Sequence, residues 1–386
     1  MNRPNFCILV LALAIVTESS HAAIPPRAIE LPAGPDSLTI AAVGDVLLHS
    51  QLQKQAYSQP DGFQKLWRAV TPLLKAADFS YANLEGPAAG ALSARGRPVK
   101  DPGLKFDNVA YSGFPQFNYH PKLVSELKRG GIDLVSTTNN HAMDRSSLGV
   151  DRTIEALNAA KLPFIGTRTA EQAASDKGDF AWHVITRVKG WNVAWIACTF
   201  STNGILDRHH QVLRCFEDSD IVESEIRALH RDPSIDAVIV TPHWGEVEYA
   251  QKVEHGQRAL AQRFAEAGAT ALLGNHPHVT KPWEKLTTKD GRECVVVYSI
   301  GNFVSAQKSL AERTSALVYL GLSRSGGKKA WVSTVKYVPL YMLQHPFAVV
   351  PADTNKAAPS SSIALLEKML GKSGRLSSKI HPVAER

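Results

Sequence analysis

What this chain lacks narrows the field before any motif is read. Cysteine is scarce, with four in 386 residues, and none of the three beyond position 7 has metal-ligand spacing. No Gly-x-Ser-x-Gly elbow occurs, so nucleophilic Ser–His–Asp catalysis has no support. Walker and dinucleotide glycine fingerprints are both missing. Lys and Arg form no long run, although they exceed Asp and Glu by 43 − 36 = +7. That thin basic excess argues against specific nucleic-acid binding and favours acidic ligands, including polyanionic polymers. No internal repeat is visible. The hydrophobic share of 44% and charged share of 20% are those of a globular chain.

Long apolar runs are missing too. The strongest, Phe6 to Val16, has 11 residues, short of the ~20 that a spanning helix needs. With Arg3 before it and Ser20-His21-Ala22 after it, the run reads as a secretory signal peptide over 1–22, cleaved near Ala22. The protein is therefore expected to be exported, periplasmic or extracellular; an uncleaved, membrane-anchoring signal is the alternative. In an oxidising compartment Cys198 and Cys215 are close enough in sequence to pair across a polar loop, while three unpaired thiols is the competing reading.

A Pro- and Ala-rich linker occupies 23–37. From 38 onward, apolar β-branched runs alternate with segments of helical period. Leu38 to Val43, Phe79 to Ala82, Ile132 to Ser136, Ala237 to Thr241, Thr270 to Leu273 and Val295 to Ser299 read as strands. Phe63 to Ala76 reads as one helix kinked or ended by Pro72. Gly86 to Asn118 is a long excursion without regular pattern, which in a compact domain points to function. Helices interleaved with strands, then a run of strands, predict a layered α/β sandwich with mixed sheets. One domain is drawn at 38–340, with a partly helical or disordered tail at 341–386.

Chemistry-bearing residues gather just past these strands. Asp45 ends the first one, as a metal ligand, general base or helix cap. Glu85 follows Asn83-Leu84 and on its own reads as a solvated loop acid. Asn139-Asn140-His141 comes after the 132–136 strand and precedes Asp144. His243-Trp244-Gly245 comes after the 237–241 strand, with Trp244 able to wall a pocket from water. His276-Pro277-His278 is the sharpest pair, two imidazoles on a loop that Pro277 bars from a central strand. In an open α/β sheet, ligands bind beyond the carboxyl ends of strands. Four histidines converging there, with carboxylates, predict a metal site suited to Zn, Mn or Fe. His49 and the other histidines lack this context and read as surface or packing residues.

In order, Val43-Gly44-Asp45, Asn83-Leu84-Glu85-Gly86, Asn139-Asn140-His141-Ala142-Met143-Asp144, Gly149 with Thr153, His243-Trp244-Gly245, Gly274-Asn275-His276-Pro277-His278-Val279 and Tyr298-Ser299-Ile300-Gly301-Asn302-Phe303 resemble the poly-γ-glutamate capsule-synthesis (CapA) family over about 38–305. That family resembles the calcineurin-like metallophosphoesterases, which implies an αββα sandwich holding one or two divalent ions. The resemblance implies Asp45, Asn140, His243, His276 and His278 as ligands, with Glu85 offered as the bridging one, and His141 as the hydrogen-bond donor to developing charge; Asp144 is a second candidate catalytic residue. Two departures stand out. Leu47 occupies a position where phosphoesterases carry a His ligand, and Glu85 stands where they use a bridging Asp.

The expected function is capsule-polymer biosynthesis, export or processing, with hydrolysis of an amide or phosphoester. A non-enzymatic, polymer-binding subunit of membrane-bound synthesis machinery and an ordinary periplasmic phosphoesterase are the alternatives. Arg97, Lys100, Lys105, Trp244 and Asn302 are the candidate substrate contacts, and the expected partner is an anionic polymer such as poly-γ-glutamate, not nucleic acid.

Overall fold

The computed structural model describes residue 34 and residues 36–379, except 61, 177, 179 and 328. The signal peptide read at 1–22 and most of the linker at 23–37 lie outside the described residues. Fourteen strands run through them: β1 (Ser37–Val46), β2 (Phe79–Leu84), β3 (Leu134–Ser136), β4 (Phe164–Ile165), β5 (His183–Val188), β6 (Trp191–Thr199), β7 (Ala237–His243), β8 (Ala271–Leu273), β9 (Trp283–Thr287), β10 (Glu293–Val297), β11 (Asn302–Val304), β12 (Thr314–Ser323), β13 (Trp331–Gln344) and β14 (Phe347–Pro351).

They build two mixed sheets. The first has the order β14-β13-β12-β1-β2-β3-β4, with β11 paired to β1; the second is β5-β6-β7-β8-β10-β9. β1 to β4 are mutually parallel, as are β6, β7, β8 and β10, while β12, β13, β14, β5 and β9 run antiparallel to their neighbours. Successive side chains on a strand face opposite ways, and here both faces are covered. In β1, Leu38, Ile40 and Ala42 join the core between the sheets, while Ala41 and Val43 face helices outside. In β6, Val193, Trp195 and Ala197 point inward and Ala194, Ile196 and Cys198 outward. Strands buried on both faces read as continuous apolar runs, which is why the sequence shows them so clearly.

Helices Ser50–Tyr57, Lys122–Arg129 and Ser146–Ala160 cover the first sheet. Helices Ser219–Arg231 and His255–Ala267 cover the second through Val222, Ile226 and Leu229, and through Leu260, Ala261 and Phe264. The result is the expected αββα sandwich. No helix among the described residues is long and apolar enough to cross a membrane. Cys198 and Cys215 form a disulfide, leaving Cys294 free and buried, so the reading with three unpaired thiols is set aside.

Several local expectations change. The single helix over 63–76 is two short ones, Gly62–Lys65 and Thr71–Leu74, and Pro72 opens the second instead of ending the first. In a helix's first turn the missing proline N–H has no bond to lose. The boundary at 340 falls inside β13, and β14 and helix Ser360–Leu370 continue the fold beyond it. Leu366 and Leu370 of that helix pack into the core between the sheets. β9, with its charged Glu284 and Lys285 and a mostly half-exposed pattern, has too weak an apolar signature to read as a strand. The Gly86–Asn118 excursion does lack helices and strands. It is pinned by the fully buried Arg145, whose guanidinium donates to the Leu92 carbonyl at 3.1 Å and also bonds Ser112.

Candidate metal centre

Parallel strands from both sheets end on one side of the sandwich, and their last residues meet. Asp45 is the last residue but one of β1, with its N–H donated to the Gly301 carbonyl at 3.1 Å. That contact requires glycine at 44, because a Cβ there would sit 1.6 Å from the Gly301 oxygen. Asp45 Oδ1 accepts from Asn83 Nδ2 at 2.8 Å, whereas Oδ2 has no hydrogen bond and lies 3.4 Å from His278 Nδ1. Glu85, one residue past β2, is fully buried, and neither carboxylate oxygen has a hydrogen-bond partner. Its Oε1 stands 3.6 Å from His243 Nε2 and 3.8 Å from His278 Nε2.

His243, the last residue of β7, meets Asn140 Oδ1 through Nε2 at 2.9 Å and Asn83 Nδ2 through Nδ1 at 3.2 Å. His276 and His278 take left-handed backbone angles, φ 100° and 59°, that aim both rings inward. Such angles in non-glycine residues cost of order 1–3 kcal/mol and concentrate at functional sites. The His276 ring packs on Phe200 at 4.2 Å, and its buried Nδ1 has no partner. His278 Nδ1 is 3.0 Å from Asn302 Oδ1.

Three sets of ligand atoms emerge, each mutually within 4.8 Å: two fully buried, Glu85, His243 and His276, and Asp45, Glu85 and His278, and one that joins the exposed Glu248 to His276 and His278. Glu85 belongs to both buried sets. Burial, then the neighbouring Glu85, raises the Asp45 pKa. Burial would raise Glu85 as well, but His278 and His243 outweigh it and hold its carboxylate below the ordinary range. Burial, reinforced by repulsion from His243 and His278, drives His276 well down. Burial also acts against a charged His278, yet Glu85 and Asp45 push it up to about 9. Unpaired buried carboxylates are costly. A divalent ion would satisfy three orphaned carboxylate oxygens and an orphaned imidazole nitrogen at once, and the nitrogen–oxygen donor set fits Zn, Mn or Fe.

His141 lies beside this group. Its Nδ1 is 2.8 Å from Asp144 Oδ2, which also accepts the Phe117 N–H at 2.6 Å. The Phe117 ring stands perpendicular to the imidazole at 4.8 Å. Burial lowers the His141 pKa, but the Asp144 carboxylate outweighs it and the net shift is upward. Asn140, whose Oδ1 meets His243, donates through Nδ2 to Asn203 Oδ1 at 3.3 Å.

The candidate substrate contacts fare differently. Arg97, Lys100 and Lys105 are exposed on the excursion and share no hydrogen bond or ion pair with the buried group. Trp244 does not wall a pocket. It is fully buried in the outer core, stacked on Tyr298 at 6.0 Å, with its indole N–H donated to the Tyr298 carbonyl at 3.0 Å. His243 faces the centre, so the residue that follows it directly off the strand end faces away. Asn302 is a brace: besides meeting His278 Nδ1, its Nδ2 donates to the His278 carbonyl at 3.1 Å. Roles for Asn83, Asn139 and Phe200 escape the sequence reading. Asn83 ties Asp45 to His243, and Asn139 ties the Leu84 carbonyl (2.8 Å) to the His141 N–H (3.2 Å). His49 is packed edge-on to Phe117 at 5.5 Å, and burial pushes its imidazole down to about 4.

Comparison with known proteins places these motifs. The model of the family described as "Bacterial capsule synthesis protein PGA_cap" matches residues 39–307. The chain belongs to that family. Two PGA_cap-type relatives illustrate its range. Capsule biosynthesis protein CapA of Bacillus anthracis is 28% identical over 299 residues, 75% of this chain and 65% of that protein. PGA biosynthesis protein CapA of Bacillus subtilis (strain 168) is 26% identical over 326 residues, 84% of this chain and 74% of that protein. The PGA_cap chain thus spans just under two thirds of the first relative's length. Among solved structures, the 5′-nucleotidase precursor from Thermus thermophilus aligns with a TM-score of 0.47 and 14% identity, over 86% of this chain and 58% of that one.

Proposed function

We propose that this PGA_cap protein is an exported, metal-dependent hydrolase that cleaves an amide or phosphoester during synthesis, export or processing of an anionic polymer of the poly-γ-glutamate kind. The observation that carries the reading is Glu85: a fully buried carboxylate with two unpaired oxygens, set between His243 and His278. Asp45, Glu85 and His278 would hold one ion, and Glu85, Asn140, His243 and His276 a second. When bound, such ions supply Lewis-acid polarisation of the scissile group and activation of water. Asn83 and Asn302 hold Asp45, His243 and His278 in register. His141, fixed through Nδ1 by Asp144, keeps Nε2 for an oxygen that gains negative charge.

Export is supported by the N-terminal pattern over 1–22 and by the Cys198–Cys215 disulfide, which persists in oxidising compartments. The exposed Arg97, Lys100 and Lys105 suit polymer carboxylates. Leu47 favours a second reading, a polymer-binding subunit without turnover, because the residue at the His position is apolar and 2% exposed.

The test is incubation with poly-γ-glutamate and with bis(4-nitrophenyl) phosphate in the presence of Mn²⁺ or Zn²⁺. Turnover of one of them, reduced at least about a hundredfold by His243→Ala, is the expected result. Undiminished turnover in that variant removes the site. Polymer binding with no turnover of either probe puts the subunit reading in its place.

A further inference from the structure

The Asp45–Glu85–His278 set has three ligands, and Leu47 contributes none. The geometry points to Glu248 as an additional metal ligand, reaching the centre from the solvent side on the loop that follows His243. A Glu248 carboxylate oxygen and one ring nitrogen each of His276 and His278 all lie within 4.8 Å of one another. Two ligands held at ~2.0–2.2 Å from one ion stand at most about 4 Å apart, so a small movement of an exposed side chain closes the gap. The independent observation is His276 Nδ1, buried inside this site without a hydrogen-bond partner.

The loop is held over the His276-Pro277-His278 turn by contacts other than the Glu248 carboxylate. The Tyr249 N–H donates to the Pro277 carbonyl at 2.9 Å. Glu254 accepts the Glu246 N–H at 2.7 Å and is itself fixed by the buried ammonium of Lys281 at 3.0 Å. The Tyr249 ring lies 6.0 Å from His278. Glu248 is therefore delivered to the rim while its side chain stays exposed. A ligand so placed makes one ion position open to exchange with solvent, whereas the position at Glu85, His243 and His276 is enclosed.

This inference rests on the metal reading above, and one experiment separates the two. The full chain is stripped with chelator and titrated calorimetrically with Mn²⁺, as wild type, Glu248→Ala and Glu248→Gln. Both variants are expected to weaken one binding step by about tenfold or more and to leave the unfolding temperature of the metal-free protein unchanged. Should Glu248→Ala lower that temperature, the near-isosteric Glu248→Gln decides. Wild-type binding curves reproduced by Glu248→Gln overturn the role of Glu248 and leave the metal centre standing. No binding step in the wild type overturns the metal reading, and the role of Glu248 with it.

Discussion

Replacing His141 with alanine is expected to lower turnover by about 10²–10³-fold and to leave metal content at the wild-type level. His141 is not one of the converging carboxylate and imidazole ligand sets. Its Nδ1 is committed to Asp144 at 2.8 Å, and the perpendicular Phe117 ring fixes its plane. A buried hydrogen-bond donor held in place loses little to reorganisation when charge develops beside it, which is why one such group is worth several kcal/mol to the rate. Steady-state rates on the probe that turns over, measured beside metal content, check this. Loss of metal together with activity would make His141 part of the ligand cage, and unchanged rates would remove it from the chemistry.

The second large effect is on stability. Chelator-stripped protein given Mn²⁺ or Zn²⁺ at about 100 times the dissociation constant should gain about 2.7 kcal/mol, a rise of about 4 °C in unfolding temperature for a chain of this size. The cause is local. Without an ion, Glu85 keeps two buried carboxylate oxygens and Asp45 one that no protein group satisfies, and only the folded state presents them together. Glu85→Gln should abolish the gain, because the Glu85 carboxylate belongs to both fully buried ligand sets. Thermal melts before and after metal addition make the comparison. An equal rise in Glu85→Gln would place the stabilising ion elsewhere.

The site is legible where a strand buried on both faces ends in a polar residue. β7 ends at His243, Asp45 is the last residue but one of β1, and the chain runs on from β8 through Gly274 and Asn275 to His276. Trp244 misleads because adjacency in sequence is not adjacency in space. The alternation of β7, continued one residue past its end, sends His243 to the centre and Trp244 to the outer core beside Tyr298. Asn83 has no role that sequence can assign, since its partners Asp45 and His243 lie 38 and 160 residues away. Glu248 carries no local signal, being an exposed acid in a loop, and only the fold brings it to His276 and His278. Asn302 reads as a site residue, but as a substrate contact. Its work on His278 depends on the Gly301 turn packing against Gly44, a contact that no periodicity encodes. Strand β9 lies at a sheet edge, where partial exposure erases the apolar run that marks the central strands.

The central claim is that these strand ends hold metal, and metal content tests it most directly. The purified protein, measured beside a His276→Ala/His278→Ala double variant, should carry about one or two transition-metal ions per chain, lost in the variant. A folded protein that holds no ion, even after Mn²⁺ or Zn²⁺ is added, would contradict it.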